Sequence, residues 1–206
     1  MDSLSSGSYN GKLMLNPTIL KAWVLSIMLA LEPSSPVKDT FDASAEVFAE
    51  SAVKSPLFCT KQEDGSCAFT DNDKRKTAAL YVSVGWFEGA FQQDAKGDCD
   101  QKKPNGTCVK GGTPRSFCMF QIHETNLKGL GYTKDEILTD FSKCVEAGNR
   151  LMRSSFKVCA AHPFPDRLRW YAGGGNGCPT NSDAAKKSQH RVNKAVWLYD
   201  HHPLDL

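Results

Sequence analysis

Glu88 is the residue of this 206-residue chain whose setting demands a chemical explanation. It closes the apolar run Tyr81-Val82-Ser83-Val84-Gly85-Trp86-Phe87. At helical spacing Val84 and Gly85 lie one turn back on its own face and Tyr81 two turns back. A carboxylate among apolar groups loses hydration in its charged form, so its pKa rises. A raised pKa keeps a proton available near neutral pH, as a general acid requires. Gly85 removes bulk where a substrate could approach. The competing reading is a solvated glutamate at a helix end.

A second carboxylate is the usual partner of such an acid in glycosidic bond cleavage. The Glu88 helix face offers none. Asp94, Asp98 and Asp100 follow in a loop rich in Gly, Lys and Asp, and read as solvated charges unless that loop folds back over Glu88. Other catalytic constellations are poorly supplied. His201-His202 is the only histidine pair, and His123, His162 and His190 show no ligand spacing, so no metal site and no cofactor are expected. The 8 cysteines contain no C-x-x-C pair. Cys59 with Cys67 and Cys99 with Cys108 bracket polar, turn-rich loops and read as local disulfides. Cys118, Cys144, Cys159 and Cys178 allow 3 pairings, with 118–144 and 159–178 preferred.

Positioning these groups falls to helices. Residues 1–16 read as a polar leader, and 17–206 as a single domain. Asn16-Pro17 begins a helix over the apolar segment that ends at Leu31, stopped by Pro33 and Pro36. That segment is short of the roughly 20 residues a membrane span needs. It lacks the basic flank and small-residue cleavage site of a signal peptide. A buried helix is the preferred reading. A second helix is expected from Phe41 to Val53, with Phe41, Ala45, Phe48 and Ala52 on one face. The helix over 73–91 carries two apolar stripes, which places it inside the protein. Ser116 to His123 suggests a small hairpin. Thr133-x-x-Glu136 is a capping box for a short helix. Longer helices follow over 142–158 and from the Asn181 cap to about Tyr199, with a helical piece at 166–172 ended by Gly173-Gly174-Gly175. The fold class is mainly α (α+β), helical with one small β element.

Lys and Arg total 25 against 23 Asp and Glu, a net charge of +2, and no aromatic-basic platform for nucleic acid stands out. The stretch Lys186, Lys187, His190, Arg191 and Lys194 reads as a solvated helix face, or as a surface attracted to an anionic polymer. An even cysteine count favours an oxidising compartment. The expected location is extracellular, periplasmic or virion-associated, in tension with the missing export signal.

Three later segments accompany Glu88 in order: Ser116-Phe117-Cys118-Met119-Phe120-Gln121-Ile122, Val145-Glu146-Ala147-Gly148, and Trp170-Tyr171-Ala172-Gly173-Gly174-Gly175. Together they resemble the soluble lytic transglycosylases and goose-type lysozymes, over roughly residues 74–200. The resemblance implies a lysozyme-like fold and peptidoglycan glycan strands as substrate. It implies Glu88 as the catalytic glutamate, with Met119, Gln121 and Ile122 lining the sugar cleft and Tyr171 near the acid. It also implies cleavage of the β-1,4 bond between N-acetylmuramic acid and N-acetylglucosamine, with one glutamate acting as acid and then base while the sugar's 6-hydroxyl attacks. Gly89 stands where the family usually has serine, and Ala172 where asparagine is usual. Two alternatives remain: muramidase-type hydrolysis with a loop aspartate as second carboxylate, and a glycan-binding domain without turnover. A phage lysin and a cell-envelope or virion-borne enzyme would share this pattern. No integral membrane span is expected.

Overall fold

The computed structural model describes residues 15–101, 109, 112–174 and 177–204. Among these, eight α-helices and two small antiparallel sheets give a mainly helical α+β fold. The helices are α1 (Pro17–Leu31), α2 (Phe41–Lys54), α3 (Asp71–Gly89), α4 (Glu124–Leu130), α5 (Lys134–Thr139), α6 (Phe141–Val158), α7 (Arg169–Gly173) and α8 (Ser182–His201). Strands β1 (Thr60–Lys61) and β2 (Cys67–Ala68) form one hairpin. Strands β3 (Lys96–Gly97), β4 (Ser116–Phe117) and β5 (Ile122–His123) form the other sheet in that order.

Local chemistry sets the helix ends. The Asn16 side chain accepts from the Ile19 N–H at 3.0 Å, with Pro17 opening α1. Thr70 and Asp73 form a reciprocal capping box at the start of α3, and Thr133 and Glu136 another at α5. The apolar segment of the N-terminal third is indeed a core helix: Leu20, Val24, Ile27 and Met28 are fully buried. Leu15 and Asn16, expected as the end of the leader, belong to the folded part. Leu15 is buried and its N–H donates to Asp71 at 3.0 Å, while residues 1–14 lie outside the described part.

Phe48 of α2 is the centre of the core, 5.8 Å between ring centroids from each of Tyr81, Phe120 and Phe141. The core therefore extends N-terminally of the 74–200 region that carries the resemblance. Helix α3 runs through the middle of it, with Thr77 through Val84 buried on all sides. Three elements were not expected from sequence: the β1–β2 hairpin, β3 and α4. All are short: β1–β2 is bracketed by Cys59–Cys67, β3 pairs with β4, and α4 is capped by the His123 side chain.

Cys118–Cys144 ties the β4–β5 turn to α6, and Cys159–Cys178 ties the end of α6 to the segment before α8. Cys99 is also disulfide-bonded, while Cys108, its expected partner, lies outside the described residues. No cysteine among the described residues is free. These cross-links are consistent with an oxidising compartment. Among the described residues no helix is long and apolar enough to cross a membrane, and no His/Cys/Asp/Glu cluster could hold a metal.

Candidate functional site

Glu88 occupies the next-to-last position of α3, and three local features place it. Ala90 and Phe91 adopt left-handed backbone (φ 46° and 62°), and the Phe91 N–H returns to the Gly85 carbonyl, which ends the helix abruptly. The β4–β5 turn closes over that end. A Cβ on Gly89 would sit 2.7 Å from the Met119 Cα, so glycine is required for this approach. Serine, expected at position 89 from the resemblance, has no room there. Helix α8 crosses α3, and the Ser83 hydroxyl donates to the Arg191 carbonyl at 2.7 Å. That buried bond sets the register that brings the Arg191 side chain against Glu88.

The Glu88 carboxyl is buried and ion-paired. Arg191 Nε donates to its Oε1 at 2.8 Å and Nη2 lies 2.6 Å from the same oxygen. The two side chains are 9% and 17% exposed, Arg191 first. Oε2 accepts no hydrogen bond from any described residue. Burial pushes the Glu88 pKa up, Arg191 pulls against it, and Asp98 adds to the rise, leaving the carboxyl above its ordinary value. The guanidinium is itself held by the Lys187 carbonyl, 2.7 Å from Nη1.

A cleft of about 830 Å³ adjoins this pair. Its walls include Asp98, Gln121, Trp170, Tyr171 and Lys187. Glu88 is not among the lining residues, and its side chain keeps 17% exposure. Asp98 and Lys187 both act electrostatically on Glu88, and Glu88 acts on Tyr171, so the carboxyl lies within range of three lining residues. The lining is mixed, with Trp170 and Leu151 offering apolar surface and His123, Thr125, Asn126 and Asn181 offering hydrogen bonds. Such a surface suits a polyhydroxylated ligand with apolar ring faces.

The other residues singled out from sequence divide into two groups. Tyr171 and Gln121 line the cleft. The Tyr171 hydroxyl donates to the Phe120 carbonyl at 2.5 Å, and its pKa is pushed well up by burial and then by Glu88. Gln121 sits in left-handed backbone (φ 48°) with its amide donating to the Cys118 carbonyl at 3.0 Å. Met119 and Ile122, by contrast, are in the core and absent from the cleft lining, with 0% and 1% exposure. The β4–β5 turn packs into the core, with 116–120 buried in succession, so a cleft-lining role for Met119 and Ile122 is corrected. Gly85 likewise faces the core. A Cβ there would touch Met119 Sδ, Phe48 and Phe91, so this glycine serves packing rather than substrate approach. The packing glycine of the Ala147-Gly148 pair does similar work, since a Cβ on Gly148 would lie 2.9 Å from the Phe120 ring.

Of the three loop aspartates, Asp98 alone lines the cleft. It takes left-handed backbone (φ 47°) and accepts from the Ser116 hydroxyl at 2.9 Å. Asp100 instead accepts from the Thr113 N–H within its own loop. Arg191 is the functional residue that sequence reading missed, having been placed on a solvated face. Its signal was present: Ala184, Ser188, Arg191, Ala195 and Leu198 recur at spacings of four and three and are all buried. A cation on that stripe requires a buried anion opposite.

No protein-family model, curated protein or solved structure matches the chain. The class defined by fold and site is a mainly helical α+β protein whose polar cleft is backed by a buried glutamate–arginine pair.

Proposed function

We propose that the protein cleaves the glycan strands of peptidoglycan at the β-1,4 bond between N-acetylmuramic acid and N-acetylglucosamine, with Glu88 as the acid. The observation that supports this reading is a buried carboxyl beside three residues that line a polar cleft, with one oxygen that accepts no hydrogen bond among the described residues. The resemblance of four ordered segments to soluble lytic transglycosylases and goose-type lysozymes supports the same substrate.

In this reading Arg191 fixes Oε1 and leaves Oε2 to carry the proton. Oε2 protonates the leaving glycosidic oxygen as the bond to the anomeric carbon breaks. The resulting carboxylate is stabilised where it forms, by a guanidinium already in contact. It then accepts the proton of the muramoyl 6-hydroxyl as that oxygen bonds to the anomeric carbon. The product is an anhydro end with no net consumption of water. Glu88 returns to its protonated state, which one group can achieve because its counter-charge is permanent. Tyr171, its hydroxyl committed to the Phe120 carbonyl, shapes the wall rather than moving a proton.

Asp98 favours a second reading. It faces the cleft and acts electrostatically on Glu88, so it is placed to hold a water and direct hydrolysis. A third reading, glycan binding without turnover, gains from the Arg191 pair, because that pair compensates the buried carboxyl and removes the case that its burial requires catalysis. The deciding experiment is clearing of purified peptidoglycan by the protein and by Glu88→Gln. Turnover by Glu88 predicts a rate loss of about 10²–10⁴-fold. Equal clearing by both proteins would reject the assignment. Mass analysis of the ends, anhydro or reducing, separates the first two readings.

A further inference from the structure

His123 ends β5, caps the helix that follows and lines the cleft. Its Nδ1 accepts the Thr125 N–H at 3.3 Å and lies 2.9 Å from the Thr125 hydroxyl. A ring nitrogen that accepts a backbone N–H carries no hydrogen of its own. The opposite tautomer would set two N–H groups face to face, whereas the Thr125 hydroxyl can turn to donate as well. The cap therefore places the ring hydrogen on Nε2. It also holds the ring in place, because Nδ1 is committed to the first turn of α4. Among the described residues Nε2 has no hydrogen-bond partner, and it leaves the ring on the side away from that turn.

The surroundings of this ring are specific. On β4, Ser116 stands directly opposite His123. The Ser116 hydroxyl donates at 2.9 Å to Asp98, just beyond β3. Asp98, Ser116 and His123 thus form a row across the three strands, and all three line the cleft. Glu124, the next residue along the chain, pairs with Arg115 at 3.3 Å. Helix α6 packs against β5 and contributes Leu151 to the cleft. An acetamido group asks for a donor to its carbonyl, an acceptor from its N–H and an apolar place for its methyl. His123 supplies the first, Leu151 the third, and the Asp98 carboxylate has acceptor capacity beyond one hydrogen bond. A sugar hydroxyl has no methyl to cover Leu151 and is the weaker acceptor for a fixed N–H.

We propose that His123 is a specificity-determining residue of the cleft, its Nε2–H donating to the acetamido carbonyl of an N-acetylhexosamine. The inference rests on the peptidoglycan reading for its choice of sugar and names the side chain that tells an acetamido group from a hydroxyl. One imidazole does two jobs: Nδ1 starts α4 and Nε2 holds the sugar. Because α4 already holds the ring, little side-chain freedom is lost when the sugar binds.

Titration calorimetry near pH 8 with two β-1,4 trimers, one of N-acetylglucosamine and one of glucose, tests the assignment. The protein carries Glu88→Gln throughout, so that nothing is cut, and is expected to bind the acetylated trimer more tightly. Adding His123→Ser keeps an oxygen that can cap α4 but removes the reach of the ring. That change is expected to weaken the acetylated trimer about fivefold, the worth of one neutral hydrogen bond, and to leave the glucose trimer unaltered. Thermal melting checks that the variant keeps its fold, and His123→Asn, a second capping residue, is read in the same way. Long-range nitrogen-15 NMR of the unliganded parent protein should show the ring proton on Nε2. A proton on Nδ1 overturns the proposal. So does a parent protein with no preference for the acetylated trimer, or a preference that survives in a folded variant. Wall clearing is read separately with glutamate intact at position 88. Clearing together with a preference independent of His123 rejects this assignment alone, whereas absent clearing with a His123-dependent preference rejects the cleavage reading alone.

Discussion

Replacing Arg191 by methionine removes the guanidinium while keeping much of the side-chain volume. The wild-type contacts are 2.6 and 2.8 Å long and both side chains are largely buried, so solvent screens the pair weakly. Stripping one partner from a buried pair costs about 3–5 kcal/mol. Glu88 can limit that cost by taking up a proton. From an ordinary carboxyl value of 4.5, protonation at pH 7 costs about 3.4 kcal/mol, at 1.36 kcal/mol per pKa unit. That is the ceiling on the electrostatic part. Wild-type Glu88 already sits above its ordinary value, so part of this cost is present before mutation and the pH-dependent difference falls below that ceiling. The folded state binds the Glu88 proton more tightly than the unfolded chain does. Stability therefore falls as pH rises from the ordinary carboxyl value through the raised one, and the variant extends this fall to higher pH. Below about pH 4 both states hold the proton and the electrostatic part vanishes. Urea denaturation near pH 4 and near pH 7.5 should show a wild-type–variant gap that is larger at the higher pH, by less than that ceiling. In wall-clearing assays the alkaline limb should move upward while the maximal rate drops, because the acid form persists but the departing carboxylate has lost its counter-charge. An identical stability gap at both pH values would refute the reasoning, since Glu88 would then feel no charge from Arg191.

Two further outcomes follow from the same geometry. Asp98→Asn removes an anion that raises the Glu88 pKa, so the alkaline limb of the clearing profile should move to lower pH; anhydro ends should persist if Glu88 acts alone, and reducing ends should be lost if Asp98 directs water. Gly89→Ser places a Cβ against the Met119 backbone, which predicts a loss of about 1–3 kcal/mol and a Tm lower by several degrees in thermal melts.

Helices were legible because they rest on local signals. The Asn16-Pro17 start, the Thr133–Glu136 capping box and the Asn181 cap each operate within a few residues. The two apolar stripes of the central helix likewise announced its burial. The β1–β2 hairpin and α4 were not legible. Neither carries a periodic apolar pattern long enough to register.

Sequence alone marked Glu88 as a carboxylate at the end of an apolar helical run, with a solvated glutamate as the competing reading. The resemblance also pointed to Gln121 and Tyr171, which line the cleft. Tertiary structure decided what surrounds the carboxyl beyond its own helix: Arg191 from a segment 103 residues away, and Asp98 and Tyr171 at the cleft. It turned Met119 and Ile122 inward and gave Gly89 its reason. The physical distinction is range. Burial along one helix is written in periodicity, whereas an ion pair between two helices depends on their crossing, which here is set by a serine hydroxyl and the packing of many apolar groups.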